Sequence, residues 1–573
     1  MHDLVVKNGF VVDGTGSAGR HADVAIDGGI VADVGADVGA GREVLDADGA
    51  LVTPGFVDIH THYDGQATWD PMLTPSSWHG VTTVVMGNCG VGFAPVEEGR
   101  QEWLVGLMEG VEDIPGAALS VGIDWRWETF PEYLAALEAS ERVLDIGTQV
   151  PHGAVRAYVM GERGAANEAA TAEDIKEMAE VVREGMLAGA LGFSTSRTLA
   201  HRAIDGEPVP GTFAAEDELF GIGSVLGELG SGVFELAPAG ALGEDLAAPD
   251  KEVDWMVRLS EAIGRPVSFA LTQNNAEPAQ WRRLLDLVAA ANAKGARVRP
   301  QVHARTVSLL VGFQTFHAAQ FCPAWGELGL GLMDWREQAA AVSRQEVRDR
   351  LVRELTDLED DPVVMGFMNP AQTYLLGDPP VYEPGADRCI AEMARMQERS
   401  QWEVLLEAMC ADGGRELLNA PVLNYSDGNL DAVHAMLTDP NSAFGLGDGG
   451  AHAGQTCDAS TTTFLLTHWT RDRDGDRLPL ELAVHKMTGA TADMYALGDR
   501  GRLEPGKVAD LNVIDLEGLA LRRPEWVTDL PGGAGRLVQH ADGYVATVKS
   551  GRVTMSGGEA TGALPGKLLR GAR

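Results

Sequence analysis

The chain has 573 residues, 45% of them hydrophobic, enough to fill one large domain and a smaller companion around sizeable cores. Asp and Glu number 84 against 45 Lys and Arg, a formal net charge of −39, which argues against binding a phosphate backbone and leaves nucleic acid out as a partner. Five widely spaced cysteines without a CxxC pair argue against a disulfide framework or a zinc knuckle. With neither an apolar leader nor any run of about 18 apolar residues, the sequence predicts a cytoplasmic protein with no membrane partner.

From Leu4 to about Val52 the chain runs in short alternating segments (LVVKNGFVVDGTG, ADVAIDGGIVADVG, GREVLDADGALVTPG) with Gly and Asp at the joints, the pattern of β-hairpins. After Pro54-Gly55 apolar runs of four to seven residues (VTTVVMG, VFELAPA, RPVSFALT, ARVRPQV, AFGLGDG) alternate with helical stretches such as AEDIKEMAEVVREGMLAG and PAQWRRLLDLVAAANAKG. Repeated strand-then-helix units predict an α/β fold with a parallel sheet, and their number makes a (β/α)8 TIM-type barrel over 54–498 the leading arrangement. Within it, 308–407 is long for one strand-helix step. It reads either as an insertion or lid over the barrel mouth or as ordinary helical packing. From about Asp499 short strands return (RGRLEPGKVADLNVIDLEG, GYVATVKSGRVTMSGGEATG), so 1–53 and 499–573 are expected to pack as one domain.

The strongest local signal is GFVDIHTHYDG. Side chains two apart on a strand point the same way, so a buried strand delivers His60 and His62 to one side as a two-imidazole clamp of the kind that holds zinc. Near the last strand, AFGLGDGGAH sets Asp448 among glycines that let a substrate or metal approach the backbone, although Asp-Gly pairs also simply cap turns. His452 follows four residues later.

With these residues the sequence resembles the amidohydrolase superfamily, and most closely its N-acyl-D-amino-acid deacylases, the D-aminoacylase group. HTHYDGQATWDP, GVTTVVMGNCGVGFAPV, PHGAVR, GALGFSTS and DRGRLEPGKVADLNVID carry the likeness, which extends over nearly the whole chain. The resemblance implies a barrel with a small β-sandwich built from both termini, and His60 and His62 as metal ligands. It makes Cys89 of GNCG a ligand where other amidohydrolases use a carboxylated lysine; a small buried residue in a Gly-rich turn is the alternative. It implies that Asp448 contacts the metal and moves protons between water and the leaving amine, and that His452 polarises the carbonyl, assists the metal or is merely structural.

The same resemblance implies a histidine closing strand 5, where PVSFALTQNN has none, leaving Gln273 as a substrate or water contact there. His303 in VRPQVHARTV falls near the ligand place of strand 6. His152 in QVPHGAVR is expected either to hydrogen-bond substrate or to be a satisfied core histidine, while Arg197 and Arg305 are candidates for a substrate carboxylate or for pairing with the chain's own acids. His60, His62, His303 and Asp448 suit one zinc ion, with a second ion, shared through Cys89, or another divalent metal left open. The implied reaction is hydrolysis of a small-molecule amide, foremost an N-acyl-D-amino acid. A cyclic amide or imide hydrolase is one alternative, against which ALGFSTSR offers no strand 4 lysine; a barrel that has lost catalysis and serves in binding is another. A homo-oligomer is left open.

Overall fold

The computed structural model describes residues 1–571, apart from the side chains of residues 362, 363 and 367. Eight parallel strand segments follow one another in chain order. They are Phe56–Asp58, Val81–Met86, Asp145–Thr148 continued by Val150–Pro151, Gly192–Ser196, Val233–Ala237, Val267–Ala270, Val298–Val302 and Ala443–Phe444. The first three pair in one sheet, and the rest run in a six-stranded sheet from Val150–Pro151 to Ala443–Phe444. Backbone bonds from Gln149 N to Met86 O (3.0 Å) and from Leu191 N to Thr148 O (2.8 Å) tie the two sheets together. A parallel bridge, Thr61 to Gly449, joins the chain just beyond the first strand to the chain just beyond the last.

Hydrogen-bond pairing corrects the strand count drawn from the family resemblance. Val233–Ala237 lies between Gly192–Ser196 and Val267–Ala270, so it is the fifth strand. PVSFALT is therefore the sixth strand, and VRPQV, which precedes His303, the seventh. Motif likeness numbers strands by recognisable side chains, and VFELA carries no histidine by which to recognise it.

Local sequence explains how the helices between strands are bounded. Ala172–Ala188 begins on a capping box, Thr171 with Asp174, and stops at Gly189 in the left-handed region. Its buried side chains, Met178, Val182 and Met186, recur at helical spacing and face the main core.

Residues from both ends of the chain share one nine-stranded mixed sheet with its own hydrophobic cluster. His2–Val11 pairs along its first half with Gly41–Asp46 and at its end with Leu51–Pro54, which in turn pairs antiparallel with Leu511–Ile514. The last residues leave this sheet: Ile146 N donates to Lys567 O and Leu569 N to Ile146 O, laying the tail along the third parallel strand.

Between the seventh and eighth strands the chain builds a separate body. Val307–Val311 and Tyr374–Leu375 flank Leu418–Leu423 in an antiparallel sheet, and the helices between them bury Trp325, Leu351, Trp402 and Leu406 in a second core. Val307, Leu309, Val422 and Leu423 of this body reach the cavity described below. Among the described residues no helix is long and apolar enough to cross a membrane.

Candidate metal centre and its cavity

His60 and His62 follow the first strand in extended chain, pinned by hydrogen bonds from Thr61 N to Val85 O and from His62 N to Gly449 O. Both are 1% exposed. Cys89 follows the second strand at φ 54°, in the left-handed region, and Asp448 and His452 share that conformation at φ 42° and 50°. Three site residues without glycine's freedom thus hold a backbone state costing roughly 1–2 kcal/mol each, a pattern typical of functional sites. Gly90 is required beside Cys89: at φ 70° a Cβ there would meet Ser196 N at 2.8 Å.

The ligand atoms of His60, His62 and Cys89 all lie within 4.8 Å of one another. Cys89 Sγ is 3.4 Å from His60 Nε2. Asp448 Oδ1 is 3.4 Å from His60 Nε2 and 3.7 Å from His62 Nε2. The far side of each ring is also occupied. His60 Nδ1 donates to Gln301 Oε1 at 3.0 Å, and Gln301 Nε2 is fixed in turn on Ser268 Oγ, so His60 Nε2 is the unprotonated nitrogen facing the cluster. His62 Nδ1 is 3.4 Å from Glu112 Oε1.

Two buried glutamates complete the group. Glu235, on the fifth strand, accepts from Cys89 N with Oε2, while its Oε1 stands 3.8 Å from His60 Nδ1 without a hydrogen-bond partner. Glu112 ends the helix Gln101–Glu112, and its carbonyl accepts from His452 N. Burial raises Glu235 to about 7, and burial with the nearby Asp448 raises Glu112 well above its usual value. Burial likewise raises the Cys89 thiol. Asp448 goes the other way: burial opposes its ionisation, but the His62 hydrogen bond and the neighbouring His60 and His452 outweigh it and hold the carboxyl well below its usual range.

These atoms fit a metal. Two imidazoles, a thiol and a carboxylate are zinc donors, the His60 imidazole is oriented by Gln301, and His62 Nδ1, Glu112 Oε1 and Glu235 Oε1 are buried polar atoms without hydrogen bonds. A dication is the charge that would let Cys89 and the glutamates ionise in this buried place.

The cluster opens on a cavity of about 620 Å³. His303 and His452 line it, but His303 lies outside the compact ligand group. Its Nδ1 donates to Leu446 O at 2.7 Å, so its partnerless Nε2 is an acceptor. His201 also lines the cavity, oriented by Ser196 Oγ at 3.0 Å, and burial lowers it to about 3.

Four expected site residues are turned away. His152 is fully buried between Thr195 Oγ1 (2.8 Å) and Glu218 Oε1 (2.9 Å), the satisfied core histidine of the two readings. Arg197 holds Glu252 and the Ala214 carbonyl, and Arg305 holds Asp458 and Ser460 under the Tyr382 ring. Gln273 is tied to Asn424 and Asp427. The residues that sequence reasoning passed over are Glu112, Glu235, His201 and Gln301. Only Glu235, a charge inside the apolar run VFELA, left a readable signal.

The profile of the amidohydrolase family matches residues 43–555. The chain belongs to the amidohydrolase family. It is a hydrolase acting on C–N amide bonds. This amidohydrolase is 28% identical over 527 residues to the D-aminoacylase of Alcaligenes xylosoxydans xylosoxydans, covering 90% of this chain and 88% of that one. Its fold is that of D-aminoacylase studied for its binuclear metal centre, at TM-score 0.66 and 24% identity with full coverage of both chains. The fold is shared too with N-acyl-D-glutamate deacylase from Bordetella bronchiseptica, complexed with zinc and a phosphonate inhibitor, at TM-score 0.65 and 21% identity over 99% of each chain.

Proposed function

We propose that this amidohydrolase is a metal-dependent N-deacylase that hydrolyses an N-acylated amine to a carboxylate and a free amine. The observation that carries the reading is the cluster of His60, His62 and Cys89, with ligand atoms within 4.8 Å of one another and Asp448 Oδ1 3.4 Å from His60 Nε2 and 3.7 Å from His62 Nε2, on the wall of a cavity of about 620 Å³. The D-aminoacylase and N-acyl-D-glutamate deacylase relatives suggest, by their names, an N-acyl-D-amino acid; what is taken from them for this site is the N-acyl half of that substrate.

Zinc suits the four donors, and His60, His62, Cys89 and Asp448 would hold it. A second ion would share Cys89 and add Glu235, whose Oε2 accepts from Cys89 N. When bound, a divalent ion polarises the scissile carbonyl and makes water more acidic. Asp448 supplies the proton path. As a carboxylate it takes a proton from the attacking water as the water oxygen bonds to the carbonyl carbon. It gives that proton to the nitrogen as the C–N bond breaks. Gln301 holds the His60 imidazole in place by a hydrogen bond, and Glu112 Oε1 stands 3.4 Å behind that of His62.

The fold reading belongs with this proposal. The eight parallel segments joined through the Thr61 to Gly449 bridge support a closed (β/α)8 barrel. The division of His2–Val11 between two partner strands supports a terminal β-sandwich.

Loading the purified protein with zinc should bring hydrolysis of N-acyl amines, and stripping it with a chelator should remove that activity until zinc is restored. Full turnover by stripped protein would take the metal out of the mechanism.

A further inference from the structure

The cavity is acidic and apolar. Among the described residues that line it are four carboxylates, Glu112, Asp113, Asp448 and Asp458, and no Lys or Arg. Much of its wall is aliphatic: Leu242, Val307, Leu309, Val422, Leu423 and Leu446. A neighbouring cavity of about 540 Å³ shares Asp113, Leu309 and Gln455 with it and adds Leu310 and Trp526, extending the apolar surface.

Of the arginines nearest in sequence to the site, Arg202 follows His201 but is exposed, lies outside the cavity lining and donates through Nη1 to Gly206 O at 2.7 Å, while Arg305 and Arg197 are spent. Arg305 is 1% exposed, bonded through Nη2 to Asp458 Oδ1 at 2.7 Å and through Nη1 to Ser460 Oγ, with its guanidinium 4.0 Å from the centre of the Tyr382 ring. Freeing it would leave Asp458 buried and unpaired. Arg197 donates through Nε to both oxygens of Glu252 and through Nη1 to the Ala214 carbonyl. The cavity histidines are engaged elsewhere: His201 Nδ1 meets Ser196 Oγ at 3.0 Å, His303 Nδ1 donates to Leu446 O at 2.7 Å, and His452 Nε2 faces Glu112 Oε2 at 3.8 Å. A dication held by one thiolate and one carboxylate is formally neutralised by those two ligands, leaving Glu112 and Asp113 as further negative or neutral groups.

From this we infer that the substrate is an uncharged N-acyl amine with an apolar body, and that an N-acyl amino acid carrying a free carboxylate is rejected. The inference rests on the amide-hydrolase reading and narrows it. A carboxylate on the amine side would lose its water without gaining a cationic partner. An alkyl group at the same place gains contact with the aliphatic wall.

The test uses a matched pair, N-octanoyl-D-leucine and N-octanoyl-isoamylamine, which differ only by the carboxylate. On zinc-loaded protein, kcat/KM should favour the isoamylamine compound by about 100-fold or more. Equal turnover, or preference for the leucine compound, would overturn the inference. If neither is hydrolysed, the amide-hydrolase reading fails for this class, and calorimetric binding of the same two compounds to the same protein decides the charge question. Tighter binding of the neutral compound supports the inference; equal binding, tighter binding of the anion, or no binding of either overturns it.

Discussion

Glu112 Oε1 stands 3.4 Å from His62 Nδ1 while Asp448 Oδ1 stands 3.7 Å from the Nε2 of the same ring, so the imidazole is held between two carboxylates. One of these faces the ligand cluster. The other is buried behind it at the end of a helix, where it can fix the tautomer and tilt of the ring.

Replacing that partner in Glu112→Gln should therefore weaken metal binding by about 10–100-fold, with a smaller effect on kcat once the site is saturated. Competition with a chromophoric chelator measures the affinity directly. An unchanged affinity would leave Glu112 without an orienting role.

Asp448→Asn keeps the shape of the side chain but removes its ability to carry a proton. The metal should be retained by His60, His62 and Cys89 while kcat for an N-acyl amine falls by about 100–10,000-fold. Metal content and turnover on the same preparation separate the two effects. Activity near that of the wild type would remove Asp448 from the proton path.

His152 gives the opposite pattern. Its ring bridges Thr195 and Glu218 in the core, beside Arg156, which also bonds Glu218. His152→Ala should cost roughly 1–3 kcal/mol of stability by leaving part of that buried network unmade. Denaturant unfolding would show the loss, with kcat little changed in the folded protein. A collapse of kcat without loss of stability would return His152 to the site.

Glu383 sets an acid limit on the body between the seventh and eighth strands. Burial opposes its ionisation, but hydrogen bonds from His468, Arg473 and Leu430 N prevail and lower its pKa from 4.5 to about 2. A depressed folded value means the contribution is fully present above pH 4.5 and is lost as pH falls towards 2. For this largely buried carboxylate the contribution is of the order of 2–3 kcal/mol. Melting temperatures between about pH 6 and about pH 3 should fall less steeply in Glu383→Gln than in the wild type. Parallel curves would place the acid limit elsewhere.

The sequence by itself determined the parts of this protein that local chemistry encodes. The alternation of short apolar runs with amphipathic stretches reports burial along the chain, and so the strand-helix rhythm was legible. His60 and His62 were legible because a spacing of two on a strand points both rings one way, Asp448 because glycines crowd its turn, and Cys89 only through the resemblance of GNCG to the family's segment. Tertiary structure decided what depends on partners distant in sequence. Arg305 looks like a carboxylate binder until Asp458, more than a hundred residues later, is seen to occupy it, and Arg197 until Glu252 is. Glu112 and Glu235 look like an ordinary helix end and an oddity in a strand until folding sets them behind His62 and Cys89. The reason is physical. Backbone pattern and turn geometry are set by neighbours within a few residues, whereas the role of a charged side chain is set by whichever opposite charge or hydrogen-bond donor the fold brings within about 3 Å of it.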